Sequence, residues 1–376
     1  MKVQDFVNII GREFYTGVPD SLLKPLVDYL LDNYIGALHH AIAANEGNAV
    51  AIGAGYHLAT GKVPVVYMQN SGIGNAVNPI ASLLHPKVYG IPELLLVGWR
   101  GEPGTKDEPQ HVFQGEITLK LLELLGIEYF IVRNNTSLTE LAQVMENFQR
   151  LFKQGRTAAL VVAKGALLYE SKEYFNRYPM HREKILEHIL AAAGDAPIVA
   201  TTGKTSRELF ELREKQKLLG ARNVHNRDFL TVGSMGHTSS IALGMALQLA
   251  NEDIWCIDGD GAVLMHGGAM AVIGKAKPQN LIHVVINNEA HESVGGQPTA
   301  ADTADLAAMA KACGYEYVSC AENFDSLDRV LNEYAGRKGL RFLEIKTAIG
   351  SRKDLGRPTE STQANKNLFM AEIQGG

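Results

Sequence analysis

Two short segments pair groups that suit a divalent cation. Gly259-Asp260-Gly261 follows the apolar run 254–258, and Asn287-Asn288 follows 281–286, with twenty-five residues, 262–286, between them. A carboxylate, a side-chain carbonyl and a nearby backbone carbonyl are hard oxygen ligands. They fit Mg²⁺, which completes its octahedron with water and phosphate oxygens. Glycines beside Asp260 let backbone N–H groups approach a diphosphate. Alone, either segment is an ordinary turn; paired at two strand ends, they read as a site.

Other candidates sit at similar places. Asn45-Glu46-Gly47-Asn48-Ala49 opens a helical pattern running to Leu58, between AIAA and AVAIGAG. A carboxyl in those small apolar surroundings is desolvated, which raises its pKa. A carboxylate that merely complements the helix N-terminus is the structural alternative. Arg100, Lys106 and His111 occur in a Gly- and Pro-rich loop after a strand-like run, and Asp20, Ser21, Asn70 and Ser71 lie at other such ends. Arg227 and His225 are further cationic candidates in the second half. His39 and His40 read as structural.

Several common motifs fail. Gly203-Lys204-Thr205 lacks the upstream glycine of a phosphate-binding loop, because Ile198 stands there. Gly53-Ala54-Gly55 and Gly72-Ile73-Gly74 meet Leu58 and Val77 where a dinucleotide fingerprint needs its third glycine. His291-Glu292 does not continue as HExxH, and Gln69 spoils a GxSxG around Ser71.

The elements that must position these residues alternate. Runs rich in Val and Ile at 63–69, 94–99, 128–133, 158–163, 197–201, 254–258, 281–287, 315–319 and 341–347 predict strands buried on both faces of parallel sheets. Helical patterns fall at 41–58, 116–125, 137–154, 183–193, 236–250 and 325–337. Alternation of this kind predicts an α/β fold. The polar stretch 170–182 separates two halves of similar size and rhythm, so two tandem α/β domains are expected, 1–170 and 183–376, with a linker at 171–182. The polar tail 350–376 is expected to be partly disordered or an interface arm.

Composition narrows the function. In 376 residues, 36 Lys and Arg face 41 Asp and Glu, a net charge of −5, which argues against nonspecific nucleic-acid binding. No apolar run approaches a membrane span, and MKVQDFVNII lacks the long apolar stretch expected of a signal peptide. Three cysteines without a CxxC suggest a reduced, cytoplasmic setting.

The spacing of Gly259-Asp260-Gly261 and Asn287-Asn288 resembles the thiamine diphosphate motif. The resemblance implies that Asp260, Asn288 and the backbone carbonyl of Ala290 hold Mg²⁺. It also implies that Glu46 is the carboxylate that hydrogen-bonds the aminopyrimidine and drives its imino tautomer. In Gly233-Ser234-Met235-Gly236 it makes Met235 the apolar wedge under the cofactor, with Gly233 placing a carbonyl. Thr202-Gly203-Lys204-Thr205 looks like the loop closing over the diphosphate, with Gly259, Gly261 and Ala262 also on the cofactor. In this family the two domains are pyrimidine-binding (1–170) and diphosphate-binding (183–376), and the middle domain of larger members is absent here.

Within that group the chain is similar to the phosphonopyruvate and sulfopyruvate decarboxylases. The stretches carrying the likeness are Thr16–Lys24, Tyr67–Gly72, Leu95–Pro103 and Lys106–His111. The family implies thiamine diphosphate- and Mg²⁺-dependent decarboxylation of 3-phosphonopyruvate to phosphonoacetaldehyde and CO₂, or of sulfopyruvate by the same mechanism. It implies proton handling by Asp20 and His111. A tetrahedral anionic tail would need hydrogen-bonding or cationic groups such as Ser21, Asn70, Ser71, Arg100 and Lys106. It also implies a homo-oligomer with active sites at subunit interfaces.

Overall fold

A computed structural model describes the chain except residues 12, 35, 37, 171, 220–223 and 376, and the side chains of residues 224 and 225. The chain separates into two compact units, Met1–Glu173 and Tyr174–Gly376.

The first unit runs α1 (Val3–Ile10), β1 (Tyr15–Gly17), α2 (Lys24–Asn33), β2 (His40–Ile42), α3 (Glu46–Thr60), β3 (Val65–Gln69), α4 (Ile73–Pro79), β4 (Leu94–Gly98), α5 (Pro109–Leu124), β5 (Glu128–Val132), α6 (Leu138–Phe152) and β6 (Ala158–Val162). The second runs α7 (Arg182–Ala193), β7 (Ile198–Ala200), α8 (Lys204–Leu218), β8 (Asp228–Leu230), α9 (Thr238–Ala246), β9 (Ile254–Gly259), α10 (Asp260–Met265), α11 (Gly268–Ala276) and β10 (Leu281–Asn287). After a small β11–β12 hairpin (Ala290–His291 and Gln297–Pro298) come α12 (Leu306–Cys313), β13 (Tyr317–Ala321), α13 (Phe324–Tyr334), β14 (Arg341–Lys346) and α14 (Thr362–Gln374).

Each unit holds one six-stranded parallel sheet. The orders are β2-β1-β3-β4-β6-β5 and β13-β14-β10-β9-β7-β8. Counted from its own first strand, the second sheet read backwards has the same order, 2-1-3-4-6-5, as the first. The halves are therefore one topology used twice. Alternate residues feed the two faces: Val65, Tyr67, Leu94 and Leu96 pack on one side, Val66, Met68, Leu95 and Val97 on the other. Both faces being apolar is why these strands read as unbroken hydrophobic runs.

The architecture is the expected α/β one, and the local differences have causes. The pattern at 41–58 begins with a strand, because His40–Ile42 pairs with β1. The helix starts only where the Asn45 side chain accepts from the backbone N–H groups of Gly47 and Asn48. The pattern at 116–125 extends back to Pro109 at the first helical turn, so His111 lies on a helix and not in a loop. The strand expected at 315–319 is shifted to Tyr317–Ala321 by its register with β14.

The tail is ordered where it becomes α14. Asn365 accepts from the Leu230 N–H (3.2 Å) and donates to the Asp228 carbonyl (3.0 Å). Phe369 rests on Phe229. One side chain thus satisfies polar groups of β8, the edge strand, which otherwise invites pairing with another chain.

Candidate active site

In both sheets the first and third strands are neighbours whose chains leave in opposite directions. Ligands in open α/β sheets bind at the carboxyl ends of such strands. In the first unit, Asp20, Asn70 and Arg100 follow β1, β3 and β4; in the second, Thr202–Lys204, Asp260 and Asn288 follow β7, β9 and β10. The two constellations occupy equivalent places in the shared topology.

In the second unit, β9 and β10 are paired in parallel, Ile286 opposite Gly259, which brings the Asp260 and Asn288 loops side by side. Asp260 is fully buried. It accepts from the Thr299 hydroxyl and from backbone N–H groups including that of Asn288. Among the described residues no Lys or Arg pairs with it. Burial pushes its carboxyl up to about 7, as expected of an anion held without a cation. The Asn288 amide donates to Glu292 (2.7 Å), turning its carbonyl the other way, where it meets the Ala290 N–H (3.0 Å). A hard cation fits this donor set: one uncompensated carboxylate, one oriented amide oxygen and the Ala290 carbonyl.

Glu292 also accepts from Lys204 (3.0 Å) and Arg182 (2.8 Å), and Arg182 is clamped on its other edge by Glu208. Although burial opposes it, the two cations hold the Glu292 carboxyl down at about 2. Of three non-glycine residues with positive φ among the described residues, Glu289 (60°) and Ser234 (54°) lie in the expected metal and wedge loops. Such strain persists where surrounding structure enforces it. Gly236 is required: a Cβ there would come within 2.5 Å of His266 and 2.8 Å of the Ala262 carbonyl. Met235, which precedes it, is half-buried.

In the first unit, Glu46 begins α3 and is 5% exposed. Burial raises its pKa, and the Asn75 amide donates to one oxygen (2.7 Å). Gly72 makes room for it, since a Cβ there would lie 2.5 Å from the Glu46 Cγ. A protonatable, shielded carboxyl at a helix N-terminus can exchange a proton with a ring nitrogen.

Around it the expected substrate residues are mutually engaged. Arg100 grips Asp107 in a fork, with Nε at 2.8 Å, and donates to the Ser21 hydroxyl (2.9 Å). Asn70 is buried and binds the Arg100 backbone both ways (2.8 and 3.2 Å). Ser71 donates to Gln69 (2.6 Å), which in turn donates to Asp20 (2.7 Å). Asp20 also accepts from the Leu22 and Leu23 N–H groups, and its burial raises its pKa. Burial and the nearby Arg100 lower His111 to about 4, so it is neutral at pH 7, and its Nδ1 is buried without a partner. Lys106 is exposed and is not drawn into this group. Arg227 is paired with Glu252, and the side chain of His225 is not among those described. His40 is buried against the Tyr67 hydroxyl (2.9 Å), as a structural residue.

Family patterns account for both halves. Residues 5–124 match the thiamine pyrophosphate enzyme N-terminal TPP binding domain, and residues 202–345 the C-terminal TPP binding domain. The chain is 35% identical over 381 residues to a phosphonopyruvate decarboxylase of Streptomyces viridochromogenes, covering 97% of this chain and 92% of that protein. The chain belongs to the thiamine pyrophosphate-dependent decarboxylases. It is 33% identical to a phosphonopyruvate decarboxylase of Streptomyces hygroscopicus (93% of this chain, 87% of that one). It is 26% identical to a sulfopyruvate decarboxylase of Methanosarcina acetivorans (98% and 96%).

As a decarboxylase of this group, the protein carries features its sequence did not announce. Asn75, Glu292 and Thr299 are brought in by contacts distant in sequence, to Glu46, Lys204 and Asp260, whereas Asp107 binds Arg100 within one loop. Among the described residues no helix is long and apolar enough to cross a membrane.

Proposed function

We propose that the chain decarboxylates 3-phosphonopyruvate to phosphonoacetaldehyde and CO₂, using thiamine diphosphate and Mg²⁺. The observation that carries the substrate assignment is full-length similarity to two phosphonopyruvate decarboxylases, at 35% and 33% identity against 26% for the sulfopyruvate enzyme. The Glu46 environment supports the chemistry.

When bound, thiamine diphosphate supplies an electron sink for the pair left as CO₂ departs. Asp260, Asn288 and the Ala290 carbonyl would hold the metal. Thr202, Gly203, Lys204 and the backbone at Gly259, Gly261 and Ala262 would receive the diphosphate, with Lys204 exchanging Glu292 for it. Met235 and Gly233 would fix the cofactor's bend. Glu46, whose carboxyl accepts from Asn75, would exchange a proton with the cofactor's ring nitrogen. Asp20 and His111 would deliver the proton that replaces CO₂. Arg100 with Ser21, Asn70 and Ser71 would face the anionic tail, and Lys106 would have to swing in to join them.

We also propose that the enzyme is cytoplasmic and a homo-oligomer whose subunits complete one another's sites. Supporting the oligomer, the helix bearing Glu46 leaves Ala51, Ile52, Gly55 and Leu58 exposed. An apolar helix face of this kind is suited to packing against another chain.

A second reading, sulfopyruvate decarboxylation, is supported by the 96% coverage of that relative and by the shared tetrahedral anion. CO₂ release from phosphonopyruvate, sulfopyruvate and pyruvate, with and without thiamine diphosphate and Mg²⁺, tests the proposal. A larger specificity constant for sulfopyruvate overturns the substrate assignment, and turnover without thiamine diphosphate overturns the mechanism.

A further inference from the structure

Behind the Asp260 loop lies a polar cluster that the decarboxylation chemistry does not use. Cys256 and Asp258 are two residues apart on β9, so their side chains share a face. His283 stands directly opposite Cys256 on β10. The Cys256 sulfur, an Asp258 oxygen and a His283 ring nitrogen all lie within 4.8 Å of one another, and all three residues are fully buried. The surrounding layer is apolar, built from Val199, Ile254, Leu281, Val285 and Phe342.

Among the described residues, two atoms aimed into this cluster have no hydrogen-bond partner: Asp258 Oδ2 and His283 Nε2. They are 3.7 Å apart, too far for a hydrogen bond. Buried polar atoms left unsatisfied are costly and rare. The other half of each group is committed. Asp258 Oδ1 accepts from the Gly259 N–H (3.0 Å), and His283 Nδ1 meets the Tyr315 hydroxyl (3.0 Å). Asp258 and His283 therefore each keep one donor atom free, and in the tautomer whose Nδ1–H donates to the Tyr315 hydroxyl, Nε2 carries the lone pair. That is the usual arrangement of a metal-bound histidine, whose second nitrogen is fixed by an outer partner.

We propose that Cys256, Asp258 and His283 form a second metal site, for Zn²⁺, separate from the diphosphate metal. The mixed thiolate, imidazole and carboxylate set is one that zinc accepts and Mg²⁺ does not favour. Zinc would satisfy both orphaned atoms and convert the thiol to a thiolate, releasing its proton. It would also cross-link β9 to β10 where their loops diverge to Asp260 and Asn288. The site is enclosed, so it fills as the chain folds.

The test is elemental analysis of the full-length protein made in zinc-supplemented cells, after EDTA has removed accessible metal. About one zinc per chain is expected in the wild type and in Asp260→Ala. Cys256→Ala and His283→Gln are expected to hold less than about a tenth of that. Tyr315→Phe keeps all three ligands and covers the case in which those variants fold poorly. It is expected to retain zinc but lose it to chelator about 10–100-fold more readily. Protein grown on cobalt is expected to show thiolate–cobalt absorption that Cys256→Ala lacks. A wild type holding no zinc overturns the proposal and leaves a proton or water between Asp258 and His283. Zinc that disappears with Asp260→Ala and persists in Cys256→Ala also overturns it.

Discussion

The Asn288 amide donates to Glu292 at 2.7 Å, and the same carboxylate holds Lys204 at 3.0 Å. One buried anion therefore orients an expected metal ligand and restrains an expected diphosphate ligand. Glu292→Gln keeps the shape but removes the charge and permits the amide to turn its N–H₂ inward. The expected outcome is roughly tenfold weaker Mg²⁺ and thiamine diphosphate binding, since outer-shell partners of metal ligands typically contribute 10–100-fold. Titration of cofactor binding against Mg²⁺ checks it; unchanged binding would mean that Glu292 serves only Arg182.

Glu46→Gln retains the hydrogen-bonding shape at the start of α3 but cannot exchange a proton. Turnover should fall by about 10²–10⁴-fold, with cofactor affinity and melting temperature near those of the wild type. Steady-state kinetics beside calorimetric cofactor binding separate the two. Near-normal kcat would sink the assignment of Glu46.

Asp260→Ala and Asn288→Ala should raise the Mg²⁺ and cofactor requirements together, Asp260 more strongly because it supplies the only charge. Asn287→Ala should behave differently. Its amide donates to Glu344 (2.7 Å) and its carbonyl accepts from the Glu289 N–H (2.9 Å) inside the protein. Leaving those groups unpaired costs about 1–3 kcal/mol each, read as a lower melting temperature with little change in metal dependence. The reverse ranking would shift the metal register by one residue.

Arg100 is tied to Asp107 and Ser21, so its removal disturbs the loop as well as any anion contact. Asp107→Asn weakens the fork while leaving Arg100 in place. If Arg100 meets the substrate tail, Arg100→Ala should lower the specificity constant for phosphonopyruvate by about 10–150-fold more than that for pyruvate, the scale of a charge-assisted contact. Asp107→Asn should leave the ratio between substrates nearly unchanged. Equal losses on both substrates in Arg100→Ala would assign Arg100 to the loop alone.

Glu93, just before β4, is fully buried, and neither carboxyl oxygen has a hydrogen-bond partner among the described residues. Burial raises its pKa well above the ordinary value. The folded state thus binds its proton more tightly than the unfolded chain. Its contribution is fully present below the unfolded carboxyl pKa of 4.5 and is lost as pH rises toward the folded value. Glu93→Gln removes this dependence. The stability difference, variant minus wild type, should grow by up to about 1.4 kcal/mol per pH unit across that window. Chemical denaturation at pH 5, 6, 7 and 8 measures it; a flat difference would mean that the carboxyl is hydrated.

Much of this protein was legible in its chain. The parallel strands could be read because each is covered on both faces, which forces runs such as VPVVYMQ and LIHVVIN. The spacing of Asp260 and Asn288 could be read because one βαβ connection fixes how far apart two neighbouring strand ends fall. The small residues around Glu46 announced a shielded carboxyl. Short strands escaped notice: Tyr15–Gly17, His40–Ile42 and Asp228–Leu230 are three residues each, too brief for a period to register. The order of α14 depends on Asn365 finding polar groups of β8, more than 130 residues away, which no local pattern encodes.

What only the tertiary structure decided is which polar groups are already taken. Arg100, Ser71 and Asn70 looked free in sequence and are engaged with Asp107, Gln69 and the Arg100 backbone. Conversely, Asn75 meets Glu46 in the first unit, and Glu292 and Thr299 meet Lys204 and Asp260 in the second, because each unit's own fold brings residues far apart in sequence together. The identity of strand-end residues is local information; their partners are set by which strands become neighbours, and that is a property of the whole folded sheet.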